Sequence, residues 1–285
     1  MYPDERFDTF MYVLIYTCNM SKKKVIGICQ ICGKEKQLTI EHYIPRAAGG
    51  GAKATLYSGD ELLKTLHKDK EGNTHKPKGK IQQNGLVKHS LCKECNEQSG
   101  TLYDKEFSRF FNGIHHVILS SIKIPREQST SEYLEKKIAT ITLEDIKPSN
   151  IAKRILVSFC SVEHPGLANR IPEIRKAIQK KDYKPNTSGF ALYISLHLGN
   201  SAYFGTIAAL KSVNGALITQ AYAGIESDFV AFYFTADKST KVVGLENCID
   251  ITEWLTRYDY DQSANISLEL MFNKSLMLRF PIGND

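Results

Sequence analysis

Glu41 and His42 stand side by side, Asn96 directly follows a cysteine, and two Cys-x-x-Cys pairs enclose or abut all three in the first third of the chain. A carboxylate and an amide oxygen are hard donors of the kind that hold Mg²⁺ or Mn²⁺, cations that keep several waters and need few protein ligands. A neutral imidazole beside them is a base for water, because histidine titrates near neutrality. These three residue types suit hydrolysis of a phosphodiester: His42 takes the proton of an attacking water, and a cation on Glu41 and Asn96 stabilises charge on the departing and non-bridging oxygens. The pairs Cys29-x-x-Cys32 and Cys92-x-x-Cys95 have the spacing of a closed tetrahedral Zn²⁺ site. Four thiolates leave no position for a substrate, so this zinc is scaffolding.

Such a site needs elements that bring distant residues together. Val25–Ile28 reads as a strand entering the first cysteine knuckle, and Leu38–Ile44 as a second strand that carries Glu41 and His42 and ends at Pro45. Leu86–Leu91 reads as a third strand leading into the second pair. A helix starts near Asn96 and breaks at Gly100, and a further helix follows with Leu102, Phe107, Phe110, Phe111, Ile114 and Val117 on one face. Side chains alternate along a strand, so His42 is expected on the face opposite Glu41. Between the second and third strands, Ala52–Gly85 is a polar insertion with a helix near Asp60–His67 and a solvated tip at Lys68–Lys80.

The segments ICQICGKEKQLTIEHYIPRAAGG and LCKECNEQSG together resemble the HNH, or ββα-metal, endonucleases, in the branch stapled by two zinc-binding cysteine pairs. The resemblance covers residues 25–112. It implies a structural Zn²⁺ on Cys29, Cys32, Cys92 and Cys95, His42 as general base, and Glu41 and Asn96 as ligands of a catalytic Mg²⁺ or Mn²⁺. The implied substrate is nucleic acid, double-stranded DNA first and RNA second, in an antiphage or mobile-element setting. Arg46, Lys88 and His89 are the expected phosphate contacts, with the lysines of the tip. Asn96 stands where many members have a histidine, which keeps an oxygen ligand. The family's middle asparagine, which orients the base, is replaced by Val87, with Asn84 as the nearest substitute. That substitution favours a rival reading, a zinc-stapled nucleic-acid-binding protein without catalysis. Asp104 reads as an exposed helix-face aspartate rather than a further ligand, and His115-His116 as helix surface and core edge.

Charge is unevenly placed. Residues 1–125 hold 19 Lys and Arg against 13 Asp and Glu, so the whole net charge of +6 lies on the half with the cysteine pairs, as a polyanion partner requires. Seven cysteines in 285 residues are too few for a disulfide-built secreted scaffold, and the three outside the pairs are far apart; a reducing, cytoplasmic setting follows. Phe10–Cys18 is apolar but too short to span a bilayer, and the acids upstream of it do not suit a signal peptide, so no membrane partner is expected. Met20 reads as a natural start.

The fold class expected is α+β: an N-terminal extension (1–24), a zinc-stapled ββα-metal domain (25–125), and a second α+β domain (126–285) with an antiparallel sheet. In the last, residues 121–150 form a polar connection. Ser149 caps a helix carrying Ile151, Ile155, Leu156 and Phe159, and Arg170–Lys181 forms a basic helix. Apolar alternation marks strands at Leu192–Leu198, Ala202–Leu210, Ala216–Tyr222, Phe229–Thr235, Ile266–Phe272 and Leu276–Phe280, making a sheet with one wet face. Substrate selection, a homo-oligomer contact or restraint by a regulatory protein partner are the roles that fit this balanced second half.

Overall fold

The computed structural model describes residues 24–56, 61, 76, 78–121, 138–163, 166–198, 202–213, 216–227, 229–236, 245 and 247–274. The N-terminal extension, the Asp60–His67 helix, most of the Lys68–Lys80 tip and the Leu276–Phe280 strand fall outside these. Among the described residues the chain is mixed α+β with largely antiparallel sheets.

Three strands, β1 (Val25–Ile28), β2 (Glu35–His42) and β5 (Val87–Cys92), form one antiparallel sheet in the order β1-β2-β5. The base of the insertion pairs β3 (Ala54–Leu56) with β4 (Lys80–Gln82). Helix α1 (Lys93–Ser99) starts at the residue after β5, three positions before the expected start at Asn96. Gly100 does not break it. The glycine stays in right-handed helical conformation and opens a π-helical turn, Gly100–Asp104, that runs on into α2 (Lys105–Ser121). One widened turn rotates every later side chain relative to α1, which is why such turns recur at working sites.

The other sheet has the order β6-β12-β7-β10-β9-β8, built from β6 (Ile138–Ile146), β7 (Ala191–Leu198), β8 (Ala202–Val213), β9 (Ala216–Ser227), β10 (Val230–Thr235) and β12 (Ala264–Lys274), with β11 (Ile249–Asp250) added on β7. All its pairings are antiparallel except β12 with β7, which is parallel. Strand β6 lies inside what the sequence suggested was a connection. Its alternation, with Ile141 and Ile146 buried, is short and flanked by charge, and pairing with β12 makes it a strand. The wet face is also absent at the sheet centre, because every residue of β10 is buried.

Helix α3 (Pro148–Val162) is buried along its whole length. It begins at Pro148, which is suited to a first turn that needs no N–H, so Ser149 lies inside the helix and does not cap it. The expected basic helix Arg170–Lys181 is shorter: α4 (Leu167–Arg170) precedes it, and after Ile171 the chain starts α5 (Pro172–Gln179). A last short helix, α6, is Trp254–Arg257.

The two segments placed on either side of residue 125 share one continuous buried cluster. Phe107 of α2 packs 5.7 Å from Phe232 of β10, and Phe110 meets Trp254 of α6 edge-on at 5.7 Å. Polar ties cross the same boundary: Ser90 Oγ donates to Ser161 Oγ, and the Tyr103 hydroxyl donates to the Ile178 carbonyl. No helix among the described residues is long and apolar enough to cross a membrane.

Candidate metal centre and adjoining cleft

Cys29 and Cys32 sit on the knuckle between β1 and β2, Cys92 ends β5, and Cys95 lies in the first turn of α1. Their four sulfurs fall within 4.8 Å of one another, and Cys32 Sγ is 3.9 Å from Cys92 Sγ. A tetrahedron with Zn–S bonds of about 2.3 Å has edges of about 3.8 Å, so the cluster fits a zinc ion. Its electrostatics agree. The Cys29 thiol is pulled down to about 4, first by the hydrogen bond from Cys95, while Cys95 is pushed far up by donating that bond and by burial. One thiolate bears the charge of a set that a cation would ionise throughout.

Beside this cluster opens a cleft of about 360 Å³, lined by Glu41, His42, Arg46, Asn96, Asp104 and Arg154 among others. The three residues expected to do chemistry are therefore together. Glu41, buried, and His42, half-buried, both line the cleft at the end of β2; the strand slips against β5 earlier, between Thr39 and Ile40, and pairs regularly from Ile40 to His42.

Asn96 is held by both hydrogens of its amide: Nδ2 donates to Thr39 Oγ1 at 2.9 Å and to the Ile40 carbonyl at 3.1 Å. That fixes the side chain with Oδ1 as its acceptor for the cleft. His42 accepts from Arg46 Nε through Nε2 at 3.1 Å, and its ring also bonds the backbone of Asn84. With Nε2 accepting from Arg46, Nδ1 carries the proton, and the Asn84 backbone is the group that favours the protonated ring. Burial first, then the Arg46 charge, lowers the His42 pKa below the usual histidine value, with the Asn84 carbonyl acting in the opposite direction. What faces the imidazole here is the main chain of Asn84, and neither the Val87 nor the Asn84 side chain. Gly85 makes this geometry: its φ is +73°, and a Cβ there would lie 2.0 Å from the Gly50 carbonyl oxygen.

Glu41 is 5% exposed and accepts from Arg154 Nη2 at 2.7 Å. Burial raises its pKa and outweighs the opposing pull of Arg154, and nearby Asp104 adds to the rise. Arg154 also donates to the His42 carbonyl at 2.9 Å and to Asp104 Oδ1 at 2.5 Å. Removing the guanidinium would strand a buried carboxylate at a cost of roughly 3–5 kcal/mol.

Of the expected phosphate contacts, Arg46 lines the cleft. Lys88 pairs across from Glu41 in the β2–β5 ladder, and His89 lies opposite Ile40 with Nδ1 3.3 Å from the Leu38 carbonyl; neither lines the cleft. Lys105, Asp104 and Arg154 do, and the sequence reading missed all three in this role. Arg154 falls with Asn150, Ser158 and Ser161 on a polar stripe at helical spacing, which in sequence reads as a solvent face, whereas the structure buries it. Asp104 reads in sequence as exposed helix face, because its direction depends on the π turn. Comparison of the chain with protein-family models, curated proteins and solved structures finds no match.

Proposed function

We propose that the chain is a metal-dependent endonuclease of the ββα-metal type, hydrolysing phosphodiester bonds of DNA, in a reducing compartment such as the cytoplasm. The observation that carries this is the convergence of His42, Glu41 and Asn96 on one cleft, built by two paired strands and a helix that a four-cysteine cluster clamps together.

Each residue then has a task. The Asn84 carbonyl holds His42 in the tautomer whose Nε2 takes a proton from water, and the lowered pKa keeps that nitrogen deprotonated at neutral pH. Glu41 and the oriented Asn96 Oδ1 are the oxygen donors for Mg²⁺ or Mn²⁺, which when bound supplies positive charge to the phosphate oxygens. Arg46 and Lys105 flank the cleft as cationic contacts for the phosphate backbone. The rival reading, binding without catalysis, draws on the absent middle asparagine, and the Asn84 backbone beside the imidazole weighs against it.

The test is plasmid nicking with Mg²⁺ or Mn²⁺ by wild type and by His42→Ala. Wild type should nick, and the variant should lose 10²-fold or more of the rate, the usual worth of a general base. A wild type that binds DNA without cutting it supports the rival reading.

A further inference from the structure

Two carboxylates meet one guanidinium at the wall of the cleft. Arg154 Nη2 lies 2.7 Å from Glu41 Oε1, and Nε lies 2.5 Å from Asp104 Oδ1. Nε and Nη2 form one edge of a planar, rigid fork, so the two carboxylates are held next to each other in a fixed relation. The remaining nitrogen is committed too: Nη1 donates to Ser158 Oγ at 2.8 Å, and Ser158 donates to the Tyr43 carbonyl at 2.6 Å. Arg154 is 2% exposed, whereas the Asp104 side chain is 40% exposed and open to the cleft.

The triad of Arg154, Glu41 and Asp104 taken alone carries one net negative charge, and Asn96 lines the same cleft as a further oxygen donor; Arg46 and Lys105, which line it too, are the contacts assigned above to the phosphate.

We infer that Arg154 is the positioning residue of the cation site, presenting Glu41 and Asp104 together as the carboxylate pair for one divalent ion. The inference rests on the function proposed above and adds Asp104 to its donors. It also makes helix α3, from the C-terminal segment, an integral part of the nuclease centre.

The experiment measures Mn²⁺ binding by electron paramagnetic resonance on zinc-loaded wild type, Arg154→Lys and Asp104→Asn, with thermal unfolding and nicking kinetics on the same samples. Lysine keeps the charge but cannot fork between two partners. Each variant should bind Mn²⁺ at least ~10-fold more weakly, the usual loss when a residue that orients a ligand is changed. The Mn²⁺ midpoint for nicking should rise by the same factor, while the KM for DNA stays within about twofold, which a purely structural defect would not produce. Either variant, folded and with wild-type Mn²⁺ affinity, overturns the inference; Asp104→Asn alone decides if Arg154→Lys does not fold. Wild type that neither binds Mn²⁺ nor nicks DNA overturns the proposed function and this inference with it. Wild type that does both while the variants match it overturns this inference alone.

Discussion

Arg46 Nε lies 3.1 Å from His42 Nε2, which places a cationic donor on the lone pair that, in the proposed function, takes a proton from water. The two residues share the turn after β2, so the contact is local and Arg46 is exposed. An incoming phosphate offers that guanidinium a charged partner, and a charge-assisted bond to phosphate is stronger than one to a neutral imidazole. Substrate would then uncover the base as it binds.

The pH profile reports this pair. His42 titrates below the usual histidine value, through burial first and Arg46 second. Its neutral form therefore persists to lower pH, and the acidic limb of kcat/KM lies below about 6.5, the ordinary histidine value. Removing the charge in Arg46→Ala raises the His42 pKa, so that limb moves to higher pH and the ratio of variant to wild-type activity falls on acidification. KM for DNA rises as well, with the loss of a phosphate contact. An acidic limb unmoved by the substitution would contradict the pairing.

Zinc is the second lever. Cys92 closes β5 and starts α1, so its sulfur joins the sheet to the helix that carries Asn96. Structural zinc contributes roughly 10–16 kcal/mol in zinc-finger peptides, as much as the whole stability of an ordinary domain. Cys92→Ser should therefore purify without its equivalent of zinc and lose cooperative thermal unfolding. Metal analysis and calorimetry check this; one zinc per chain in wild type is the expected stoichiometry, and a zinc-free, fully stable wild type refutes the cluster's role.

Local signals were legible and long-range ones were not. The CxxC spacing fixed which sulfurs meet, and apolar alternation located β1, β7, β10 and β12 to within a few residues. Gly100 misled, because a glycine in a helix costs little when the chain on both sides stays helical, and the π turn it opens depends on how α2 packs. Position 84 was legible in part. Asn84, the nearest substitute for an asparagine at Val87, is the residue that meets His42, but through its backbone, a group that every residue carries. Arg154 lies 113 residues from Glu41, and only tertiary packing joins them.

The shared core predicts what a truncation does. A chain ending at residue 125 loses α3, α5, β10 and α6, leaving Phe107, Phe110 and Tyr103 without the surfaces that cover them. Each of these rings contributes about 3–5 kcal/mol when fully packed, more together than a small domain can lose. Residues 1–125 alone should be aggregated or lack dispersed amide resonances, zinc notwithstanding. A well-dispersed NMR spectrum with nicking activity would show that the N-terminal half folds by itself.

Asn84 and Gly85 separate main chain from side chain. If the Asn84 carbonyl orients His42, Asn84→Ala leaves kcat within about twofold, since the backbone bond survives, and Val87→Asn brings no gain. Gly85→Ala has the opposite outcome. Its φ of +73° suits no β-carbon, and the new methyl would lie 2.0 Å from the Gly50 carbonyl oxygen, so the turn must move. The displaced carbonyl frees the imidazole to rotate or change tautomer. A stability loss of roughly 1–3 kcal/mol should accompany a fall in kcat of tenfold or more, beyond what the unfolded fraction explains. Nitrogen-15 spectra of the His42 ring give the independent readout. Wild type should show the Nδ1–H tautomer alone, and Gly85→Ala a mixture. Equal kcat losses in Asn84→Ala and Gly85→Ala would instead assign the task to the Asn84 amide.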